Sequence, residues 1–261
     1  MRVFLIGLLV AAALALAGCG GGGSTKAPEE PAIREEGAFG VAAERFWLYR
    51  PVKGSPRAIV IFLHGLGQES LVPKLYRPWL RHLAAKGNAV IYPAYELGPG
   101  SRGALRNLIT AVRDAKLQLK SPFVPTIVIG YSRGGRLAVE YAAVAPAVDQ
   151  TPRAIMSVFP GGLNPDAEEI VDLGSIDPRT TIWILVGDRD RSVGPLGGRE
   201  LLARLQRGAF PPSSVRVISV KSTRDFEASH GAPLGTSSGA KRAFWDRGDK
   251  LIDSVVHASR G

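Results

Sequence analysis

An α/β fold, with a mostly parallel central sheet and helices on both of its faces, is what this sequence predicts. Three observations carry that expectation. Apolar runs rich in Ile and Val recur along the chain and are nearly continuous, as in strands buried on both faces of a parallel sheet. Longer amphipathic stretches lie between them, with apolar residues at helical spacing. The two kinds of segment alternate, which a layered α/β domain requires.

In chain order, strands are expected at "RFWLYRP" (Arg45 to Pro51), "AIVIFLHG" (Ala58 to Gly65) and "NAVIYPAY" (Asn88 to Tyr95). Further strands are expected at "PTIVIGYS" (Pro125 to Ser132), "AIMSVF" (Ala154 to Phe159), "TIWILVGD" (Thr181 to Asp188) and "SVRVISV" (Ser214 to Val220). Helices are expected over 75–87, 102–119, 134–145, 198–208 and 241–259. The chain contains no internal repeat.

The N-terminal stretch has a different character. Arg2 precedes "VFLIGLLVAAALALA", Val3 to Ala17, which carries no charge. A membrane-spanning helix needs about 20 apolar residues, so this segment is short for a span and suits a secretory signal. It ends in "LAGC", Leu16 to Cys19. Those four residues resemble the bacterial lipobox, which implies cleavage before Cys19, a lipid on that residue and a place in the bacterial cell envelope. The alternative is an ordinary secretion signal with an incidental cysteine. Cys19 is the one cysteine of the chain, so no internal disulfide is expected. "GGGGSTKAPEEPAIREEG" follows, rich in Gly, Pro and charge, and reads as a flexible tether. The expected organisation is a signal peptide over 1–18, a lipidated cysteine and tether over 19–37, and one domain over 38–261.

The formal net charge is +10, from 33 Lys and Arg against 23 Asp and Glu. The basic residues are dispersed, without a run and without interleaved aromatics. That argues for solvation and some attraction to anionic membranes, and against a nucleic-acid partner. There is no second cysteine and no paired-histidine spacing, so no metal or other cofactor is expected.

The chemistry turns on Gly-x-Ser-x-Gly, which occurs twice. "GYSRG" holds Ser132 and "GTSSG" holds Ser237. With 31 glycines in 261 residues the pattern alone carries little weight. It has a mechanism only on a strand–turn–helix, where the serine is thrown out at a sharp corner. Ser132 follows the apolar "TIVIG" and precedes a helical pattern. Ser237 has no strand before it and suits a helix N-cap.

A serine hydroxyl needs a base, and the base needs an orienting acid. Of the four histidines, His82 lies within a helical pattern and His257 in the last turn of the final helix. His64 ends a strand upstream of the serine. His230 lies in a loop after the last strand and is the expected base. Asp188 and Asp190, in "LVGDRDRSVG", follow a buried strand between serine and histidine. Asp225, beside the histidine on its own loop, is a weaker candidate.

These residues resemble the α/β-hydrolase superfamily. Gly187, Asp190 and Val193 match its Gly-x-x-Asp-x-x-Val pattern, which favours Asp190. Ser132, Asp190 and His230 stand in its chain order. "LHGLG", Leu63 to Gly67, is similar to its His-Gly oxyanion loop. By that resemblance the N–H groups of Leu66 and Arg133 hold the oxyanion, and His64 braces the loop. The narrower likeness is to esterases of the dienelactone-hydrolase, chlorophyllase and cutinase-like kind. It implies an α/β-hydrolase fold over most of the chain from Phe46 onward, a small-molecule ester substrate and an acyl-enzyme.

The slot where this superfamily inserts its lids holds only "PGGLNPDAEEIVDLGSIDPR", Pro160 to Arg179, short and acidic. A short cap over an open pocket is expected, with Tyr92 and Tyr95 as candidate lining or packing residues. Two other readings stay open. One is a peptidase or thioesterase with the same triad. The other is a non-catalytic binding lipoprotein of the same fold.

Overall fold

Residues 32–98, 103–121, 123–162 and 170–259 are described by the computed structural model. Cys19 and the apolar segment before it lie outside them. Among the described residues, no helix is long and apolar enough to cross a membrane.

Eight strands form one sheet: β1 (Ile33–Phe39), β2 (Phe46–Pro51), β3 (Ile59–Leu63), β4 (Ala89–Pro93), β5 (Thr126–Tyr131), β6 (Ala154–Val158), β7 (Thr181–Gly187) and β8 (Val215–Val220). Their spatial order is β1-β2-β4-β3-β5-β6-β7-β8. β2 runs antiparallel to both β1 and β4, and the other pairings are parallel. Every residue of β3, β4, β5 and β6 is buried, as their unbroken apolar runs require.

The helices are α1 (Arg77–Ala85), α2 (Ala104–Leu119), α3 (Arg133–Val144), α4 (Leu196–Arg207), the short α5 (Ser238–Ala240) and α6 (Asp246–Ala258). A π-helical turn, Lys241–Trp245, joins the last two. Leu108, Val112, Leu137, Tyr141, Leu201 and Leu205, from α2, α3 and α4, pack with Ile59, Ile61 and Leu63 of β3 in one core. Trp79 and Leu83 of α1 and Leu251 and Ile252 of α6 pack with Val60 and Phe62 in the other. Alternate residues of one strand thus feed two cores, one on each face. The architecture is the expected α/β-hydrolase one.

One strand differs from expectation. The segment read as tether through Gly37 is β1 from Ile33, so the domain begins before residue 38. Its sequence, IREEGAF, has no apolar alternation because the strand sits on the sheet edge. Its charges have partners instead. Arg50 donates from Nε to Glu36 at 2.7 Å, Arg77 donates to Glu35 at 2.8 Å, and Arg81 pairs with Glu35 as well. Charge on an edge strand also discourages the addition of a further strand.

A second ionic group lies inside. The Glu140 carboxylate on α3 accepts from Arg136 at 3.0 Å and from Arg204 on α4 at 2.8 Å. All three side chains are at most 7 % exposed. Removing the anion leaves two guanidinium groups buried without it. Glu140→Gln is therefore expected to cost about 3–5 kcal/mol of stability, read as a lowered urea midpoint with an unchanged slope.

Candidate active site

The strand order reverses between β3 and β5. From β3 the chain crosses to β4 on one side, and from β5 it crosses to β6 on the other. A crevice opens at the carboxyl ends of strands at such a point. Ser132 follows β5 there, and the His64–Leu66 loop follows β3.

Ser132 is strained by its position. Its φ of 55° and ψ of −120° lie where a side chain is unwelcome. The turn is forced by close backbone contact. A Cβ at Gly130 would fall 2.1 Å from the Gly134 carbonyl oxygen, and one at Gly134 only 2.3 Å from the His64 carbonyl oxygen. The two glycines of the motif are therefore steric necessities. The Ser132 N–H donates to Val158 O at 2.9 Å, and its carbonyl accepts from Gly135 and Gly161. The hydroxyl is left directed at His230.

Ser132 Oγ lies 2.9 Å from His230 Nε2, and His230 Nδ1 lies 2.8 Å from Asp190 Oδ2. The other Asp190 oxygen accepts from the N–H groups of Ser192 and Val193, at 2.9 and 3.1 Å. The Asp190 side chain is fully buried and that of His230 is 20 % exposed. Tyr131, the variable residue before Ser132, donates its hydroxyl to the His230 carbonyl at 2.9 Å. Burial pushes that phenol up, so it stays a donor. The strand that presents the serine thus also fixes the histidine loop, a link the sequence did not disclose.

The other candidates separate cleanly. Asp188 accepts from the Ser222 N–H at 3.0 Å and from its hydroxyl at 2.6 Å, which shapes the start of the His230 loop. The Ser222 hydrogen bonds hold its carboxyl below the usual range. Ser237 caps α5, its Oγ accepting from Ala240 N–H at 3.2 Å. His82 Nε2 lies 2.9 Å from Asp249, and His257 contacts the Asp253 carbonyl within α6.

The candidate oxyanion donors belong to two segments that meet near Ser132. Arg133 is the first residue of α3, and the first N–H groups of a helix have no carbonyl of that helix to bond. Leu66 follows Gly65, where a Cβ would approach Ser132 Cβ to 3.3 Å. The Gly65 N–H donates to the Tyr76 hydroxyl at 2.9 Å. His64, fully buried, faces two carbonyls, Gly65 O at 2.7 Å and Ala94 O at 2.8 Å. Its ring stacks on Tyr95 at 4.1 Å.

Tyr92 and Tyr95 do not line an open pocket. Both are fully buried, with hydroxyls turned onto backbone: Tyr92 donates to Ser70 O and Tyr95 to His64 O, each at 2.6 Å. They hold the loop from behind. Sequence reasoning also missed Glu96, whose buried carboxylate pairs with the Arg133 guanidinium. No spacing rule signals such a pair.

The chain matches no protein-family model and no curated protein. Solved structures share its fold. Esterase B from Lactobacillus rhamnosis, inhibited by a tributyrin phosphonate, superposes with a TM-score of 0.67 at 16 % identity, over 89 % of this chain and 88 % of that one. Carboxyl esterase 2 of the mycorrhizal fungus Tuber melanosporum gives 0.62 at 19 %, over 89 % of both chains. MGS-M1, an alpha/beta hydrolase enzyme from a Medee basin deep-sea metagenome library, gives 0.63 at 15 %, over 87 % of this chain and 99 % of that one. The fold is that of the α/β-hydrolases.

Burial drives the His64 pKa down to about 4, against the pull of its two carbonyl partners. The unfolded chain, with an ordinary histidine, binds a proton below about pH 6.5 that the folded state refuses. His64 therefore withdraws stability as pH falls from about 6.5 toward 4, by an amount on the order of 3 kcal/mol in total. Urea unfolding at pH 7.5 and 4.5 is expected to show a smaller pH loss for His64→Gln than for wild type.

Proposed function

We propose that this chain is a serine hydrolase of carboxylic esters, exported and held to a membrane of the bacterial envelope by a lipid on Cys19. The observation that carries the reaction is the hydrogen-bonded row Asp190–His230–Ser132, aligned on a strained turn at the carboxyl edge of the sheet. A fold hosts many chemistries, so the site and not the architecture supports the reading.

Ser132 Oγ attacks the ester carbonyl carbon while His230 Nε2 takes its proton. Asp190 fixes the ring so that Nδ1 donates to it, and stabilises the imidazolium that forms. The carbonyl oxygen becomes an oxyanion facing the N–H groups of Leu66 and Arg133. The imidazolium returns its proton to the departing alkoxide, leaving an acyl-enzyme and a free alcohol. A water, deprotonated by His230, then releases the acid and restores Ser132. The short segment after β6 favours accessible ester substrates over ones that need a large apolar lid.

The membrane attachment rests on "LAGC" after a short uncharged segment. The link from there to β1 is about 13 residues, with a root-mean-square span of roughly 20 Å if flexible. Thioester or peptide hydrolysis by the same row, and silent ligand binding by an inactive domain, are the competing readings. Graded acyl esters, thioesters and peptides offered side by side separate the first two.

A fluorophosphonate probe is expected to label wild type on Ser132 and to leave Ser132→Ala unlabelled but folded, while Ser237→Ala keeps most activity. Labelled protein that hydrolyses none of the esters would remove the ester assignment, and unlabelled wild type would favour the binding lipoprotein. Asp190→Asn is expected to lower turnover by about 10⁴-fold. Asp188→Asn is expected to affect mainly stability, and a larger turnover loss there would exchange the two roles.

Wild type expressed in a bacterium is expected to partition into detergent, carrying at least two acyl chains on Cys19, which hold firmly at about 0.8 kcal/mol per buried CH₂. Cys19→Ser is expected to lose the lipid. Equal partitioning, with no acyl mass on Cys19, returns the reading to ordinary secretion.

A further inference from the structure

Within the hydrolase reading, on which this inference rests, we propose that Glu96 is a positioning residue that sets the oxyanion site by acting through Arg133. Its side chain is 1 % exposed and is paired with the Arg133 guanidinium, itself 13 % exposed. A carboxylate at such depth is costly unless a cation meets it. The cation here is the residue directly after Ser132, and its backbone N–H is one of the two candidate oxyanion donors. The peptide that carries that N–H is held at its Ser132 carbonyl by Gly135 and Gly161, and fixing the Arg133 side chain to the loop after β4 adds a second hold from the Cα side.

The same turn holds the opposite donor. Tyr95, beside Glu96, donates to the His64 carbonyl at 2.6 Å, and the Ala94 carbonyl faces His64 Nε2 at 2.8 Å. His64 in turn contacts the Gly65 carbonyl, which belongs to the same peptide group as the Leu66 N–H. Ala94–Tyr95–Glu96 therefore grips the Leu66 loop with two residues and Arg133 with the third. The separation of the two donors, which has to match a single oxygen, is set from one place.

The turn is itself tightly held. Tyr95 has a φ of 43°, and the Glu96 N–H donates back to Ala94 O at 2.6 Å. Asn107 of α2 donates to Tyr95 O at 3.2 Å. A side-chain-bearing residue stays in that region of conformation only where its surroundings enforce it. A purely stabilising ion pair would need none of this link to the donors.

The test compares wild type, Glu96→Gln and Arg133→Lys on p-nitrophenyl butyrate, each below its own melting temperature. Binding of an alkyl trifluoromethyl ketone is measured beside it. Ser132 adds to that carbonyl and transfers its proton to His230, giving a tetrahedral oxyanion adduct that draws on the donors. For Glu96→Gln, kcat is expected to fall about 10- to 100-fold with KM within about twofold, and ketone affinity to fall by a similar factor. Arg133→Lys keeps a cation for Glu96 but loses the rigid fork, and an intermediate loss in both readouts is expected.

Glu96→Gln with wild-type kcat and ketone affinity, and only a lower melting temperature, would show a structural pair and overturn the inference. Should that variant not fold, Arg133→Lys decides: a joint loss supports the inference, and unchanged values overturn it. A wild type that neither hydrolyses the ester nor takes a fluorophosphonate on Ser132 overturns the hydrolase reading and this inference together. An active wild type with indifferent variants overturns this inference alone.

Discussion

Three stretches of backbone meet behind Ser132 with no space for a side chain between them. Gly134 lies against the Leu63 and His64 carbonyls, and Gly130 against Gly134. That contact lets α3 begin directly at the end of β5, and it bends Ser132 into its strained conformation. It also brings the β3 loop within reach of Ser132. A single methyl group at either glycine would move the hydroxyl, the first turn of α3 and the Gly65–Leu66 loop at once. The two cores on either side of the sheet supply the stability that such strain consumes.

Charge is distributed by a different logic. The net positive surface is dispersed, but the anions that matter are sited. Asp190 has both oxygens occupied, one by His230 and one by two backbone N–H groups. Such a carboxylate can orient the ring without taking its proton. Glu140 bridges α3 and α4, and Glu96 meets Arg133 at the start of α3. The helix that follows Ser132 is thus held by a buried ionic contact at each end of its first two turns. His64 does the converse. Burial works against a positive charge on its ring, while the two carbonyls that face its nitrogens favour one.

What the sequence disclosed follows from which signals are local. Seven strands and the main helices were legible because burial on two faces, or on one helical stripe, leaves a period in the residues. The separation of Ser132 from Ser237 was legible because a strand must precede a nucleophile turn. Asp190 was separated from Asp188 only by resemblance. The physical reason is a turn geometry that points one carboxyl at His230 and the other at Ser222. β1 was hidden because an edge strand balances its charge against arginines far along the chain and needs no apolar face. Tyr92 and Tyr95 were left open between lining and packing, and both are buried as packing residues. A tyrosine has an apolar body and one polar tip, and residue type alone does not say whether that tip meets solvent or a carbonyl. Glu96–Arg133 is a contact 37 residues apart in the chain, and nothing periodic encodes it.

The register of β1 gives the domain a front and a back. Ile33 pairs with Pro51, at the amino edge of the parallel strands, while Ser132 stands at their carboxyl edge. The strands between are about 20 Å long. The first residue of β1 therefore lies at the edge of the sheet opposite the Ser132 hydroxyl. A disturbance entering at the start of β1 would have to cross the full length of the sheet before it reached Ser132, so the two ends of the domain can vary separately.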